Sequence, residues 1–193
     1  MTGFPEWPPS SGAAMSGLTG NILITGGSGT LGHAIVRTAE REGWDCAFTI
    51  YSRSELRQAQ MRAKYPRFRY VLGDVRDYDR LAAAVAGHDT VIHAAAVKRL
   101  PDAEAQPVNC YEVNVQGSAN VARACIVQGV RLAIAVSTDK ACRAISVYGH
   151  SKGLMEGLWR AQPESATRFV GVRYGNVVAS NGSVIPLWRA QAA

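Results

Sequence analysis

The stretch NILITGGSGTLG, residues 21–32, limits the fold more than any other part of the chain. An apolar, β-branched run stops at Thr25, glycines follow at Gly26, Gly29 and Gly32, and apolar residues at helical spacing begin at once in LGHAIVRTAEREG. Strand, tight glycine turn and helix in that order open a βαβ unit whose helix N-terminus faces an anion. Gly26 suits the tight turn, Gly29 the close approach of backbone to a pyrophosphate, and Gly32 the packing of helix on turn. Thr30 and Leu31 start the helix, so their amides are expected on the cofactor side.

The alternation continues. Runs suited to strands recur as CAFTIY (46–51), FRYVLG (68–73), TVIHAA (90–95), LAIAVS (132–137) and RFVGVR (168–173), with helical patterns between them. One such pattern, NVQGSANVARACIVQG, stops at Gly129 as the first stops at Gly43, the position of a C-terminal cap. Right-handed crossovers then predict an α/β fold, a Rossmann-like doubly wound parallel sheet with helices on both faces. With 193 residues, 47% of them hydrophobic, the chain suits one core. Residues 1–18, rich in Pro, Ser and Gly and without a secretory pattern, are expected to form a disordered lead-in, and 19–193 the nucleotide-binding domain.

Apolar runs fall well short of the roughly 20 residues a membrane-spanning helix needs. A soluble, cytoplasmic protein without membrane insertion is expected. Cys46, Cys110, Cys125 and Cys142 form no ligand spacing, which predicts free thiols and no metal. The net charge of +6 suits an anionic partner such as a nucleotide. Basic residues are scattered, and the densest cluster, RAKYPRFRY (62–70), lies in no nucleic-acid module, so no nucleic-acid partner is expected.

Sites that bind NAD commonly place a carboxylate after the second strand. Here Ser52 and Arg53 stand there, and a guanidinium suits a 2′-phosphate, which predicts NADP. In GDVRD, Asp74 and Val75 follow the third strand, where the carboxylate either accepts from the adenine amino group or caps a turn. Ala94, Ala95 and Ala96 after the fourth strand let backbone pass close to a cofactor, or simply pack.

Tyr148 and Lys152, in YGHSK, are four residues apart and share a helical face. An ammonium and a positive nicotinamide near the phenol would lower its pKa, so that it could take a hydroxyl proton while hydride leaves the same carbon.

The glycine turn with Tyr148 and Lys152 resembles the extended short-chain dehydrogenase/reductase family. SRSE, GDVRD, HAAAVKRLPDAE, VNVQGSANV, STDKA, YGHSK and RYGNVVASNGSVIP are similar, in order, to the polysaccharide-biosynthesis type, the inverting UDP-N-acetylglucosamine 4,6-dehydratases. The resemblance implies catalytic roles for Thr138, Asp139 and Lys140 beside Tyr148 and Lys152: oxidation at C4, loss of water across C5 and C6, and hydride return to C6. Asp139 and Lys140 otherwise read as a solvated turn with a weak ion pair. The resemblance also places Lys98, Thr138, Tyr148 and Asn176 at the UDP-sugar. It gives Asn114 the ordering of the catalytic helix on the cofactor side, with a buried structural amide as the alternative. A homo-oligomer is left open. The resemblance further implies a C-terminal region completing the sugar pocket, expected to be missing or incomplete here. An NADP-dependent epimerase or reductase would share Tyr148 and Lys152 without using Asp139 and Lys140, and a non-catalytic NADP-binding module is a third reading.

Overall fold

The computed structural model describes residues 18–177 and Trp188. In chain order the elements are β1 (Gly20–Thr25), α1 (Thr30–Glu42), β2 (Cys46–Ser52), α2 (Glu55–Lys64), β3 (Arg69–Leu72), α3 (Tyr78–Val85) and β4 (Thr90–His93). There follow α4 (Leu100–Ala105), α5 (Pro107–Tyr111), a π-turn (Glu112–Gln116), α6 (Gly117–Val127), β5 (Leu132–Thr138), a 3-10 turn (Asp139–Ala141), α7 (Val147–Arg160) and β6 (Arg168–Tyr174). The lead-in lies outside the described residues except for Leu18, which packs half-buried against the core.

The six strands form one parallel sheet, as the alternating pattern predicts, and their order is β3-β2-β1-β4-β5-β6. Order reverses between β1 and β4, and in open sheets of this kind the crevice beyond the strand ends at that point binds ligands.

Period-two alternation gives the sheet two buried faces. Ile22 and Ile24 of β1 join Phe48, Ile50, Val36 and Met61 under α1 and α2. Leu23, between them, joins Leu81, Val121, Met155 and Trp159 under α3, α6 and α7. All three β1 side chains are fully buried, and each such burial contributes roughly 1.5–3 kcal/mol. That anchors the strand leading into the glycine turn.

Helix ends follow local chemistry. Gly43 ends α1 in the left-handed region, φ 65°, and its N–H donates to the Ala39 carbonyl. Ser54, Asp77 and Ser146 cap α2, α3 and α7 by accepting from the amides of Arg57, Arg80 and Gly149. Glu104 Oε1 also accepts from the Val147 amide at 2.8 Å, fixing the start of α7 just before Tyr148.

Candidate active site

A cavity of about 950 Å³ opens beyond the strand ends at the point of reversal. Of the residues singled out from sequence, Gly26, Gly29, Thr30, Leu31, Ser52, Arg53, Asp74, Val75, Ala94, Ala95, Ala96, Lys98, Thr138, Lys140, Tyr148 and Asn176 line it. Gly32, Asn114, Asp139 and Lys152 stand outside that lining.

At the first turn, Gly26 has φ 67°, and a Cβ there would lie 2.8 Å from the Ala95 Cα and N. The turn therefore presses against the strand end that carries the alanines. A Cβ on Gly32 would come within 1.9 Å of the Gly27 carbonyl oxygen, so helix and turn can meet only through glycine. Gly29 is the N-cap of α1 and brings no capping side chain, and the first turn holds no acidic residue. The positive end of the helix dipole thus faces the cavity, which suits a pyrophosphate.

At the end of β2, Ser52 is buried, accepting from Ser28 Oγ at 2.9 Å, whereas the Arg53 side chain is half-exposed with Nη1 3.5 Å from Asp74 Oδ2. Asp74 takes the turn role that the sequence left open: its carboxylate accepts from the Arg76 amide at 3.0 Å and from Arg76 Nη2 at 2.7 Å. Burial raises its pKa, but the Arg76 bonds outweigh that and hold it below the ordinary carboxylate value.

Beyond β4, Asn114 is fully buried in the π-turn. Its Oδ1 accepts from the Val97 amide at 2.8 Å, and its Nδ2 donates to the Val97 carbonyl at 2.9 Å and to Ser151 Oγ on α7 at 2.9 Å. Asn114 thus clamps the loop that follows the alanines to the helix that carries Tyr148. His93, also fully buried, connects Thr25 Oγ1 (2.7 Å) to Ser118 Oγ (2.8 Å) and stacks on Trp159. Burial, helped by the nearby Lys152 charge, pushes its pKa down to about 3, so it is a neutral strut.

A second group of polar residues sits where β5 stops. Thr138 Oγ1 donates to Asp139 Oδ1 at 2.9 Å, and Lys140 Nζ donates to Asp139 Oδ1 at 3.2 Å and to Asn176 Oδ1 at 3.0 Å. The Thr138 hydroxyl, then Lys140, hold the Asp139 carboxyl below its usual range. Tyr148 stands beside Thr138 at the cavity wall. Its pKa is raised, opposite to the shift expected from Lys152, because burial dominates and the nearby Tyr174 and Asp139 add to it; only the Thr138 hydroxyl pulls it down. Lys152 is 2% exposed and its Nζ hydrogen-bonds to Met155 Sδ at 3.1 Å, with burial lowering its pKa to about 8. A buried ammonium bonded to a thioether is a strong donor held on a weak acceptor, which suits a ribose diol brought to it.

Sequence reasoning missed several wall residues. Arg57, on the first turn of α2, lines the cavity with Arg53, and Tyr174 and Arg99 line it elsewhere. Arg57 was visible as the second arginine after β2, once Ser54 is recognised as a helix cap.

Residues 22–193 match the polysaccharide biosynthesis protein family. The chain belongs to that family. Within it, the chain is 45% identical over 175 residues to the inverting UDP-N-acetylglucosamine 4,6-dehydratase of Campylobacter jejuni, covering 88% of this chain and 52% of that protein. It is 40% identical to a UDP-glucose 4-epimerase of Rickettsia bellii, over 86% and 52% of the two chains. Thus the chain spans about half the length of the curated relatives it matches. The crystal structure of Pen from Bacillus thuringiensis superposes with a TM-score of 0.86 at 35% identity, over 92% of this chain and 56% of that one. DesIV, a dTDP-glucose 4,6-dehydratase of Streptomyces venezuelae solved with NAD bound, gives 0.69 at 25% identity, over 78% and 55%.

Proposed function

We propose that this chain is the cofactor-binding and catalytic portion of a nucleotide-sugar 4,6-dehydratase that uses NADP and acts on UDP-N-acetylglucosamine or a close relative. The observation that carries the reading is the Asp139–Lys140 pair, joined at 3.2 Å at the end of β5 beside Thr138 and Tyr148. The similarity to the Campylobacter dehydratase supports it.

The glycine turn and the N-terminus of α1 would take the pyrophosphate, Arg53 and Arg57 the 2′-phosphate, and Lys152 the nicotinamide ribose. The nicotinamide, when bound, supplies the acceptor for the C4 hydride, returns it at C6, and brings a positive charge that offsets the effect of burial on Tyr148. Tyr148 takes the proton from the C4 hydroxyl, with Thr138 orienting the oxygen. The resulting C4 carbonyl acidifies the C5 proton. Moving one proton across the bond between Lys140 and Asp139 converts the ion pair into an amine and a carboxylic acid without any outside proton, and exclusion of water favours that neutral pair. The amine of Lys140 then removes the C5 proton while Asp139 gives its proton to the departing C6 hydroxyl, which leaves as water. The pair is thereby recharged, and C5 takes up a solvent-derived proton on the face opposite Lys140 as hydride reaches C6, which inverts that centre. Asn176, accepting from Lys140 Nζ, aims the amine.

The identity with the Rickettsia epimerase favours a second reading, epimerisation at C4. That reaction needs Tyr148 but no base for C5, which leaves Asp139 and Lys140 idle. Lys140→Ala distinguishes the two. The dehydratase reading expects loss of dehydration by roughly 10²–10⁴-fold, the usual contribution of a general base, with NADP affinity unchanged. Tyr148→Phe should stop the earlier C4 oxidation as well, seen as loss of transient NADPH absorbance. Undiminished turnover by Lys140→Ala would rule out its role as the base.

A further inference from the structure

Gln58 touches nothing in the cavity, yet it organises the wall where β2 ends. It is buried on α2, and its Nε2 lies 2.8 Å from the Val71 carbonyl, 3.1 Å from the Ser52 carbonyl and 3.0 Å from Ser52 Oγ. So many acceptors around one atom identify it as the amide nitrogen. An amide nitrogen donates and does not accept, so the Ser52 hydroxyl can only receive there and directs its own proton elsewhere.

The other partner of Ser52 Oγ is Ser28 Oγ, at 2.9 Å. The two hydroxyls own two protons, and one occupies the bond between them. The second finds no acceptor among the described residues, and both serines line the cavity. Whichever way the Ser28–Ser52 bond runs, the pair must offer one proton to the cavity. Beside that donor stand Arg53 and Arg57, and Asp74, the one carboxylate among the described residues of the cavity lining, is held by Arg76 at 2.7 Å and lies 3.5 Å from Arg53. The site therefore offers donors and positive charge where the adenosine ribose of a dinucleotide lies on this fold. A phosphate oxygen only accepts, so it gains from a donor that has no competing acceptor.

We propose that Gln58 is a positioning residue for cofactor choice: by filling the acceptor side of Ser52 it holds a hydroxyl proton toward the 2′-phosphate of NADP. The proposal rests on the NADP reading above. Without the amide, the Val71 carbonyl loses the Gln58 donor and draws the Ser52 proton inward, while the Ser52 carbonyl keeps the Gly73 amide at 3.1 Å.

The test measures calorimetric affinities for adenosine 2′,5′-bisphosphate and for 5′-AMP, which differ only in the 2′-phosphate. The unaltered chain is compared with Gln58→Met, Ser52→Ala and the double variant. The unaltered chain should prefer the bisphosphate. Gln58→Met and Ser52→Ala should each lower that preference by about tenfold, the effect of one charge-assisted hydrogen bond, with 5′-AMP affinity nearly constant. The double variant should lose no more than Ser52→Ala alone, because Gln58 acts through Ser52. Weakening of both nucleotides alike, or multiplying effects in the double variant, would mean that Gln58 is structural and overturn the proposal. Should Gln58→Met fail to fold, Ser52→Ala decides: an unchanged preference refutes the proposal. No preference in the unaltered chain refutes the NADP reading itself, and this proposal with it.

Discussion

Lys152 shows how a buried charge strains the fold that carries it. Burial lowers its pKa from 10.5 to about 8, a destabilisation of about 3 kcal/mol at roughly 1.4 kcal/mol per pH unit. Because the folded-state pKa lies below the unfolded one, the unfolded chain binds the extra proton between about pH 8 and 10.5, and stability rises with pH across that window. Below about pH 8 the penalty is fully present. Lys152→Met should therefore stabilise the ligand-free chain at pH 7 by a few kcal/mol. The gain should shrink as pH approaches 10.5, measured by urea unfolding at each pH. A gain independent of pH would contradict the buried-charge account. Much at this scale was legible in the sequence, since Gly26, Arg53, Thr138, Lys140 and Tyr148 all reach the cavity wall. The raised pKa of Tyr148 was not, because it depends on its burial and on the approach of Asp139 and Tyr174. Gln58 was equally invisible, since its bond to Val71 crosses from helix to neighbouring strand.

Among the elements, the π-turn joins the loop after β4 to α7. Through Asn114 it holds both backbone groups of Val97, just past the alanines, and Ser151 on α7. Asn114→Ala leaves those buried groups unpaired at roughly 1–3 kcal/mol each. We expect a loss of about 2–4 kcal/mol in chemical denaturation, with weaker NADP binding as the Ala94, Ala95 and Ala96 backbone loosens. A loss under about 0.5 kcal/mol, the range of a neutral surface change, would show that water replaces the amide. Strands and most helices were legible from period and caps, but VNVQG reads as ordinary helix. The extra residue in the turn has no local signature, and the π-turn is seen only once α5, α6 and Val97 are placed.

For the whole molecule, the parallel sheet brings together groups from all along the sequence: the first turn and β2 at the cofactor end, and Thr138, Lys140, Tyr148 and Asn176 at the other. Sequence alternation was enough to give a doubly wound parallel sheet, because crossovers of one hand leave few topologies. It could not give the shape of the cavity beside Thr138 and Tyr148, where Tyr174 and Gly175 join the wall from the last described strand and the loop after it. The central claim is that this end removes water and does not merely invert C4. Incubating the protein with NADP and UDP-N-acetylglucosamine in deuterated water, and weighing the sugar nucleotide by mass spectrometry, tests it most directly. The account predicts a product that has lost one water and carries one deuterium at C5; an isomer of unchanged mass, formed by the protein with its cofactor bound, would contradict it.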